Sequence, residues 1–245
     1  MKITVITVAY NSGSTIADTL RSVAEQHHPD VEHIVIDGGS TDNTVELVQR
    51  LGRDGTLLLS EPDTGIYDAM NKGLQLASGD FVGFLNADDM FAGAATLETM
   101  AKPMVQADMV YGDLVYVHQN DTGRVIRHWR SGRFERSRLR YGWMPPHPTF
   151  YVRRSHLAGM QFDLRYRIAA DYDFMLKQLT LPTARVAYVP EVLVRMRTGG
   201  ASNRSLRALW QKSSEDYLAL RRNGVGGLMS LAAKIGRKIP QYFGH

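Results

Sequence analysis

The chain contains no cysteine, which excludes disulfides, thiolate nucleophiles and Cys-ligated zinc or iron–sulfur centres. Its eight histidines include no H-E-x-x-H pair, so the helical zinc-hydrolase signature is missing. No run of eighteen apolar residues occurs, and a membrane-spanning helix needs about that many. Met1-Lys2-Ile3-Thr4-Val5-Ile6 enters a strand pattern at once, with no charged leader and cleavage site, which makes the cytoplasm the expected location. The first loop, Ala9-Tyr10-Asn11-Ser12, lacks G-x-G-x-x-G, and this argues against a nicotinamide or flavin cofactor. Internal repeats and low-complexity segments are also absent.

What is present is a 245-residue chain, 44% hydrophobic, enough for one good-sized core and an appendage. Its net charge of +4 conceals a segregation. Residues 1–123 carry 6 Lys and Arg against 18 Asp and Glu, whereas residues 124–154 carry 9 against 1 and residues 204–245 carry 8 against 2. Such polarity fits an acidic part that handles a cation and a basic part that faces an anionic partner, either nucleic acid or an anionic membrane surface.

The first hundred residues alternate two periods. Strand-like runs at Ile3–Val8, Glu32–Ile36, Thr56–Leu59 and Asp80–Leu85 are separated by helical patterns. The helices start near Ser14, near Asp42 and at Tyr67. This order predicts an α/β fold with a parallel, doubly wound sheet. After Asp89 the rhythm changes to a helix over 94–105 and strand-like runs at Met109–Val117 and Gly123–Trp129 joined by a hairpin signal. A short strand at Thr149–Val152 and a helix over Ala170–Leu179 follow, then a strand-like Ala184–Met196 interrupted by Pro190. Two helical stretches close the chain; the first carries Leu206, Leu209, Trp210, Ser213, Tyr217 and Leu220 along one face.

Candidate chemistry gathers at strand ends, where open α/β sheets bind ligands. Phe81-Val82-Gly83-Phe84-Leu85 runs into Asn86-Ala87-Asp88-Asp89. Two carboxylates with no basic neighbour in sequence call for a cation, and Mg²⁺ or Mn²⁺ shares its oxygen ligands with substrate phosphates. An acidic turn capping the next helix would read the same way. Tyr10 can stack on a base, and Asn11 can contact the ligand or cap the first helix. Asp37, ahead of Gly38 and Gly39, can read a nucleobase or ribose edge or merely organise its turn. Asp68, Asn71 and Lys72 share a helix face that suits ribose and diphosphate, or form a solvated ion pair. His147, in Pro145-Pro146-His147-Pro148-Thr149, either lines an acceptor pocket or is structural. The run Arg124 to Arg140 with interleaved aromatics fits single-stranded nucleic acid, an anionic acceptor, or a solvated face. In the last helix Leu228, Leu231, Ala232, Ile235 and Ile239 form one face with Lys234, Arg237 and Lys238 beside it. That pattern suits an interfacial helix, or a helix packed on the core with its basic residues outward.

Ala9-Tyr10-Asn11, Ile36-Asp37-Gly38-Gly39-Ser40-Thr41-Asp42, the stretch from Asp63 to Gly73, and Leu85-Asn86-Ala87-Asp88-Asp89 together resemble the family 2 glycosyltransferases in order and spacing. The resemblance covers roughly the first ninety residues closely. It implies the GT-A fold, a Rossmann-like, mainly parallel sheet flanked by helices, and transfer that inverts the anomeric centre. Residues 1–203 would form that domain, with a nucleotide-sugar half at 1–106 and an acceptor half at 107–203. Residues 204–245 would add a basic helical extension.

By the same resemblance Tyr10, Asn11, Asp37, Asp68, Asn71, Lys72, Asn86 and Arg197 would bind a UDP- or GDP-linked sugar. Asp88 would hold Mg²⁺ or Mn²⁺, standing at the second acid of the family's Asp-x-Asp, whose first acid is the uncharged Asn86 here. Asp171, in Ala170-Asp171-Tyr172-Asp173, aligns with the catalytic base, and Ala170 replaces a family Glu. Asp173 and His147 would serve the acceptor, a glycan or lipid-linked sugar of the kind found in bacterial surface polysaccharides. Arg195, Arg197 and Thr198-Gly199-Gly200-Ala201-Ser202 resemble the family's late segment that closes over the diphosphate. The inner face of the cell membrane is then a natural place of work. Two rival readings stand beside this one. Nucleotidyl transfer would require a Gly- and Lys/Arg-rich phosphate loop, which Tyr10-Asn11-Ser12-Gly13 does not supply. A non-catalytic nucleotide-sugar or nucleic-acid binding module would tolerate loss of Asp171, and in its nucleic-acid form would bind with steep salt dependence.

Overall fold

The β-branched run of the first strand, apolar but for Thr4 and Thr7, needs cover on both faces, and it receives it. A computed structural model describes residues 1–199 and 206–236. Strand β1 (Ile3–Ala9) is buried along its whole length between two parallel neighbours, β2 (Val31–Asp37) and β4 (Phe81–Phe84). β3 (Leu57–Ser60) pairs parallel to β2. The crossovers are made by α1 (Ile16–Ala24), α2 (Thr44–Leu51) and α3 (Ile66–Leu76). The β3-β2-β1-β4 order places the carboxyl ends of these strands on one edge, as the alternating pattern predicts.

Beyond β4 the sheet becomes mixed, so the parallel expectation describes only its first half. β8 (Tyr151–Arg153) lies antiparallel to both β4 and the long β6 (Met109–His118), and β7 (Asp121–Trp129) returns from β6 as a hairpin. β9 (Val186–Arg197) runs parallel to β6 and is continuous through Pro190. The register jumps from Gly112 opposite Val189 to Asp113 opposite Val192, so the proline sits in a bulge rather than ending the strand. One strand has no counterpart in the sequence reading. β5 (Asp89–Phe91) follows the acidic turn directly and pairs antiparallel with β9, Asp89 opposite Met196.

The boundary expected at residue 106 falls between α4 (Thr96–Met104) and β6, and one sheet continues across it. Two apolar layers cover that sheet. Ile6, Ile36 and Phe84 meet Met70 of α3, with Tyr172 and Leu176 of α6 (Ala170–Leu179). Val5, Phe81 and Val110 meet Leu97 and Met100 of α4 on the other side. Each such side chain, fully buried, contributes roughly 2 kcal/mol. Leu220 of α7 (Leu206–Arg222) joins the first layer, so the helical extension is packed on the core. Trp210, grouped with Leu220 on one face by helical spacing, is 75% exposed; among the residues of α7 whose side chains are described, the buried ones are Glu215, Asp216, Ala219 and Leu220. No helix among the described residues is long and apolar enough to cross a membrane.

Candidate active site

The loops after β1 and β2 are laced together by side chains accepting from backbone. Asn11, at a positive φ of 47°, takes the Thr41 N–H on its Oδ1 at 2.9 Å and donates its own N–H to Ser40 Oγ at 2.7 Å. The Gly13 N–H reaches Asp42 at 2.9 Å. Asn11 Oδ1 thereby holds the neighbouring loop, while its side chain remains exposed. Tyr10, beside it, leaves its ring 65% exposed at the strand end.

Asp37 closes β2 completely buried. Its Oδ2 accepts from the Gly39 and Ser40 N–H groups at 3.2 and 3.0 Å and from Ser60 Oγ at 2.7 Å, and its Oδ1 accepts from Ser40 Oγ. Of the two readings of Asp37, the structure displays the turn organiser. Asp63, which the sequence reading did not single out, lies against this turn. A Cβ on Gly38 would fall 2.4 Å from its Oδ2, so only glycine leaves room for that carboxylate.

The face of α3 divides in a way that helical spacing alone did not reveal. Asp68 accepts the Thr64 N–H at 3.0 Å, closing the first turn, and this holds its carboxyl below the usual range. Lys72 pairs with Glu61 at 2.7 Å and donates to the Pro62 carbonyl. Asn71 is buried, its amide giving to the Phe162 carbonyl at 3.0 Å and accepting the Phe162 N–H at 2.8 Å. The ribose contact expected of Asn71 is therefore corrected. Its amide is fully used in joining α3 to the segment that leads into α6.

At the turn after β4 the two adjacent acids part company. Asp88 is half-buried, and burial raises its carboxyl above the usual range against the opposing charge of Arg197. Asp89, wholly buried as β5 begins, is pushed much further up, first by burial and then by the Asp88 charge. Asn86 Nδ2 lies 3.4 Å from Asp89 Oδ2, while Asn86 Oδ1 and Asp89 Oδ1 are buried with no hydrogen-bond partner. Among the described residues no three His, Asp or Glu side chains form a self-contained metal cage. A hard cation shared with substrate phosphates needs only one or two carboxylates and other oxygen donors, and this all-oxygen turn fits that requirement.

Arg197 was expected to reach a phosphate. Instead its guanidinium is buried at 6% exposure, donating to Asp18, to the Asp88 carbonyl at 2.9 Å and to the Gln119 carbonyl at 3.2 Å. It holds the backbone of the acidic turn from behind. The neighbouring Gly200, Ala201 and Ser202 lie outside the described residues.

On α6, Asp171 opens the helix half-exposed. Its Oδ1 accepts the Tyr172 N–H at 2.8 Å and lies 3.4 Å from the Tyr67 hydroxyl of α3. His147 is buried and stacked on Phe84 with ring centroids 5.3 Å apart. Burial lowers its pKa, and the Asp171 charge opposes that shift. It packs between Phe84 and Phe162, the place of a structural residue rather than an exposed acceptor contact. Asp173 does not face the acceptor. It is buried on the other side of α6, paired with Lys177 at 2.8 Å and accepting from Asn223 of α7 at 2.8 Å. Two residues along a helix turn by roughly 200°, so Asp171 and Asp173 cannot share a face.

A carboxylate does stand at the start of α6, contributed from α7. Glu215 accepts the N–H groups of Arg167, Ile168 and Ala169 at 2.8–3.2 Å, satisfying donors that a helix start otherwise leaves unpaired. No periodicity signal marks Glu215 in sequence. The basic run from 124 to 140 has its larger aromatics engaged in packing: Trp129 stacks on Tyr116 and Phe134 leans on Trp143. That leaves few rings for stacking unpaired bases.

The model of the glycosyl transferase family 2 matches residues 4–165. The chain belongs to this family. A PGL/p-HBAD biosynthesis glycosyltransferase from Mycobacterium bovis is 32% identical over 208 residues, 81% of this chain and 78% of the relative. The putative teichuronic acid biosynthesis glycosyltransferase TuaG of Bacillus subtilis is 38% identical over 90 residues, 36% of each chain. Among solved structures, S. aureus TarS 1–349 in complex with UDP-GlcNAc superposes with a TM-score of 0.69 at 21% identity, covering 99% of this chain and 73% of that one. A mannosyltransferase from Pyrobaculum calidifontis, in complex with GDP-Man and Mn²⁺, gives a TM-score of 0.65 at 20% identity over 95% of this chain and 68% of that one. In another TarS structure the chain spans 65% of the partner's length. The family 2 glycosyltransferase fold is thus established for this chain, and Asp37 and the Asn86–Asp89 turn stand at the carboxyl ends of its parallel strands.

Proposed function

We propose that the chain transfers a sugar from a nucleoside-diphosphate sugar to an acceptor hydroxyl with inversion, Asp171 acting as the general base. The observation that carries this reading is the division of labour within Ala170–Asp173. Asp171 alone of the two acids stays half-exposed, and it meets Tyr67 from the nucleotide half of the molecule. The acceptor oxygen attacks the anomeric carbon as the bond from that carbon to the diphosphate oxygen breaks. The hydroxyl proton passes to Asp171, and the diphosphate departs with the bonding electron pair. Tyr10 provides a stacking face for the nucleobase beside the turn that Asp37 and Asn11 shape. Asp88 and Asn86 would hold a divalent cation, Mg²⁺ or Mn²⁺, which when bound neutralises developing charge on the leaving diphosphate. Arg197 and Asp18 keep that turn in place from behind.

The donor is a UDP- or GDP-linked sugar and the acceptor a glycan or lipid-linked sugar, consistent with the surface-glycan roles in the relatives' names. We place the work in the cytoplasm at the inner face of a membrane. Thermal unfolding with a panel of UDP- and GDP-sugars tests the reading. Mn²⁺ together with the right donor should raise the midpoint by several degrees, as binding to the native state alone requires. Chelator or Asp88→Ala should remove most of that rise. No rise with any donor in either condition would sink the proposal, and a rise indifferent to metal would remove only the role of Asp88.

A further inference from the structure

The helix α8 (Leu228–Gly236) is built inside out. Its buried side chains are Ser230 and Lys234, whereas Leu228 and Met229 are 72% and 89% exposed and Ile235 is 52% exposed. At 100° per residue, Leu228, Met229, Ala232 and Ile235 fall on one face, and Ser230 and Lys234 on the opposite one. The sequence left open whether the basic residues of this helix point outward with the apolar ones packed. The structure reverses that arrangement for Lys234, which pairs with buried Asp216 at 2.8 Å and sits 3.0 Å from the centre of the Tyr172 ring. The remaining members of the sequence pattern, Arg237, Lys238 and Ile239, lie outside the described residues.

Lys234 explains how an apolar face comes to be displayed. A buried ammonium without its carboxylate is costly, so the Asp216 pair fixes the rotation of α8 and leaves the hydrophobic stripe outward. The turn beneath is shaped for this seating. A Cβ on Gly142 would fall 2.3 Å from Lys234 Cβ, so Arg140 and Tyr141 border the helix. Tyr141 is 53% exposed. Arg221 comes within 3.9 Å of the Cβ that Gly227 lacks, at the other end.

The charge around this stripe has one sign. The only acids in residues 204–245 are Glu215 and Asp216, and both are buried, one on backbone N–H groups and the other on Lys234. Arg140 and Arg221 are exposed and make no ion pair among the described residues. An outward apolar stripe on a helix whose neighbouring segments carry exposed Arg140, Tyr141 and Arg221 matches the chemistry of an anionic bilayer surface, where acyl chains take the stripe and headgroups the guanidinium groups.

We infer that the outward face of α8 docks the protein on an anionic phospholipid membrane. Lys234, on the inner side of α8, rests on Tyr172, the residue after Asp171, so docking through the outward face would hold α6 about one helix diameter from the bilayer, within the reach of a lipid-linked acceptor. That last consequence rests on the transferase reading, while the docking does not. Co-sedimentation of the full chain with vesicles, without donor or metal, separates the two. Phosphatidylcholine vesicles containing phosphatidylglycerol should retain the protein, and pure phosphatidylcholine should retain about tenfold less. Leu228→Gln with Met229→Gln should weaken retention by about tenfold or more, and Arg140→Glu with Arg221→Glu should do likewise. All four positions are exposed, so the thermal midpoint should stay that of the parent. No retention on phosphatidylglycerol vesicles, or equal retention of the parent and both double variants, would overturn the inference. A concentration-dependent dimer abolished by the leucine and methionine changes would also overturn it, giving the face to a second copy.

Discussion

The molecule holds two acidic pairs, Asp88-Asp89 after β4 and Asp171/Asp173 on α6, and in each one carboxylate is partly exposed while the other is buried. They differ in how the buried member is accommodated. Asp173 has close partners, Lys177 at 2.8 Å and Asn223 at 2.8 Å. Asp89 has no ion pair of that kind: one oxygen lies 3.4 Å from Asn86, the other has no hydrogen-bond partner, and burial raises its carboxyl well above the usual range. The same residue type, withdrawn from water in both places, is ion-paired in one and left with little hydrogen bonding in the other. Proximity in sequence therefore says little about shared chemistry.

Three experiments press on this comparison. The largest effect belongs to the exposed member on α6. Asp171→Asn should lower kcat about a thousandfold with donor KM nearly unchanged, the magnitude expected for a lost general base; retained turnover would dissolve the contrast between Asp171 and its buried partner. Next comes Asp173→Asn, which keeps the shape and removes the charge facing Lys177. It should cost about 2 kcal/mol in urea unfolding while leaving kcat of the folded protein within a few-fold. A large loss of kcat with unchanged stability would return Asp173 to the acceptor site. The smallest effect is expected for Asp89→Asn, within about 1 kcal/mol of the parent near neutral pH. Here the sign is informative. A carboxyl whose folded pKa is raised lends stability at acid pH and loses it as pH climbs through that folded value. The stability of the parent relative to the Asn variant should therefore fall as pH rises above the ordinary carboxylate range. A parent that gains on the variant instead would show that burial does not raise the Asp89 carboxyl.

Much of the nucleotide half was legible because its signals are local. Apolar runs ending in Asp37 and in Asn86-Ala87-Asp88 gave both the strands and the strand-end acids, and the β3-β2-β1-β4 order followed from alternation. Asp171 was legible at a helix start. What escaped was set by distant partners. Asp89 is buried because β5 pairs with β9, and Asn71 is taken by Phe162. Asp173 is claimed by α7 and Arg197 by Asp18. Helical spacing grouped Asp68, Asn71 and Lys72, yet only tertiary contacts could divide them. The display of α8 escaped for the same reason: the pattern is symmetric until Asp216 chooses which side Lys234 must face.

The Glu215 clamp bears on the order in which the protein comes off the ribosome. β1 to β4 and their crossovers emerge first and can close their own core. The three N–H groups at 167–169 have no protein acceptor until α7 follows. A nascent chain can thus shape its nucleotide half while the start of α6, and Asp171 with it, is still unsecured. The turn that presents Asp171 is finished only when a late-made helix folds back onto it.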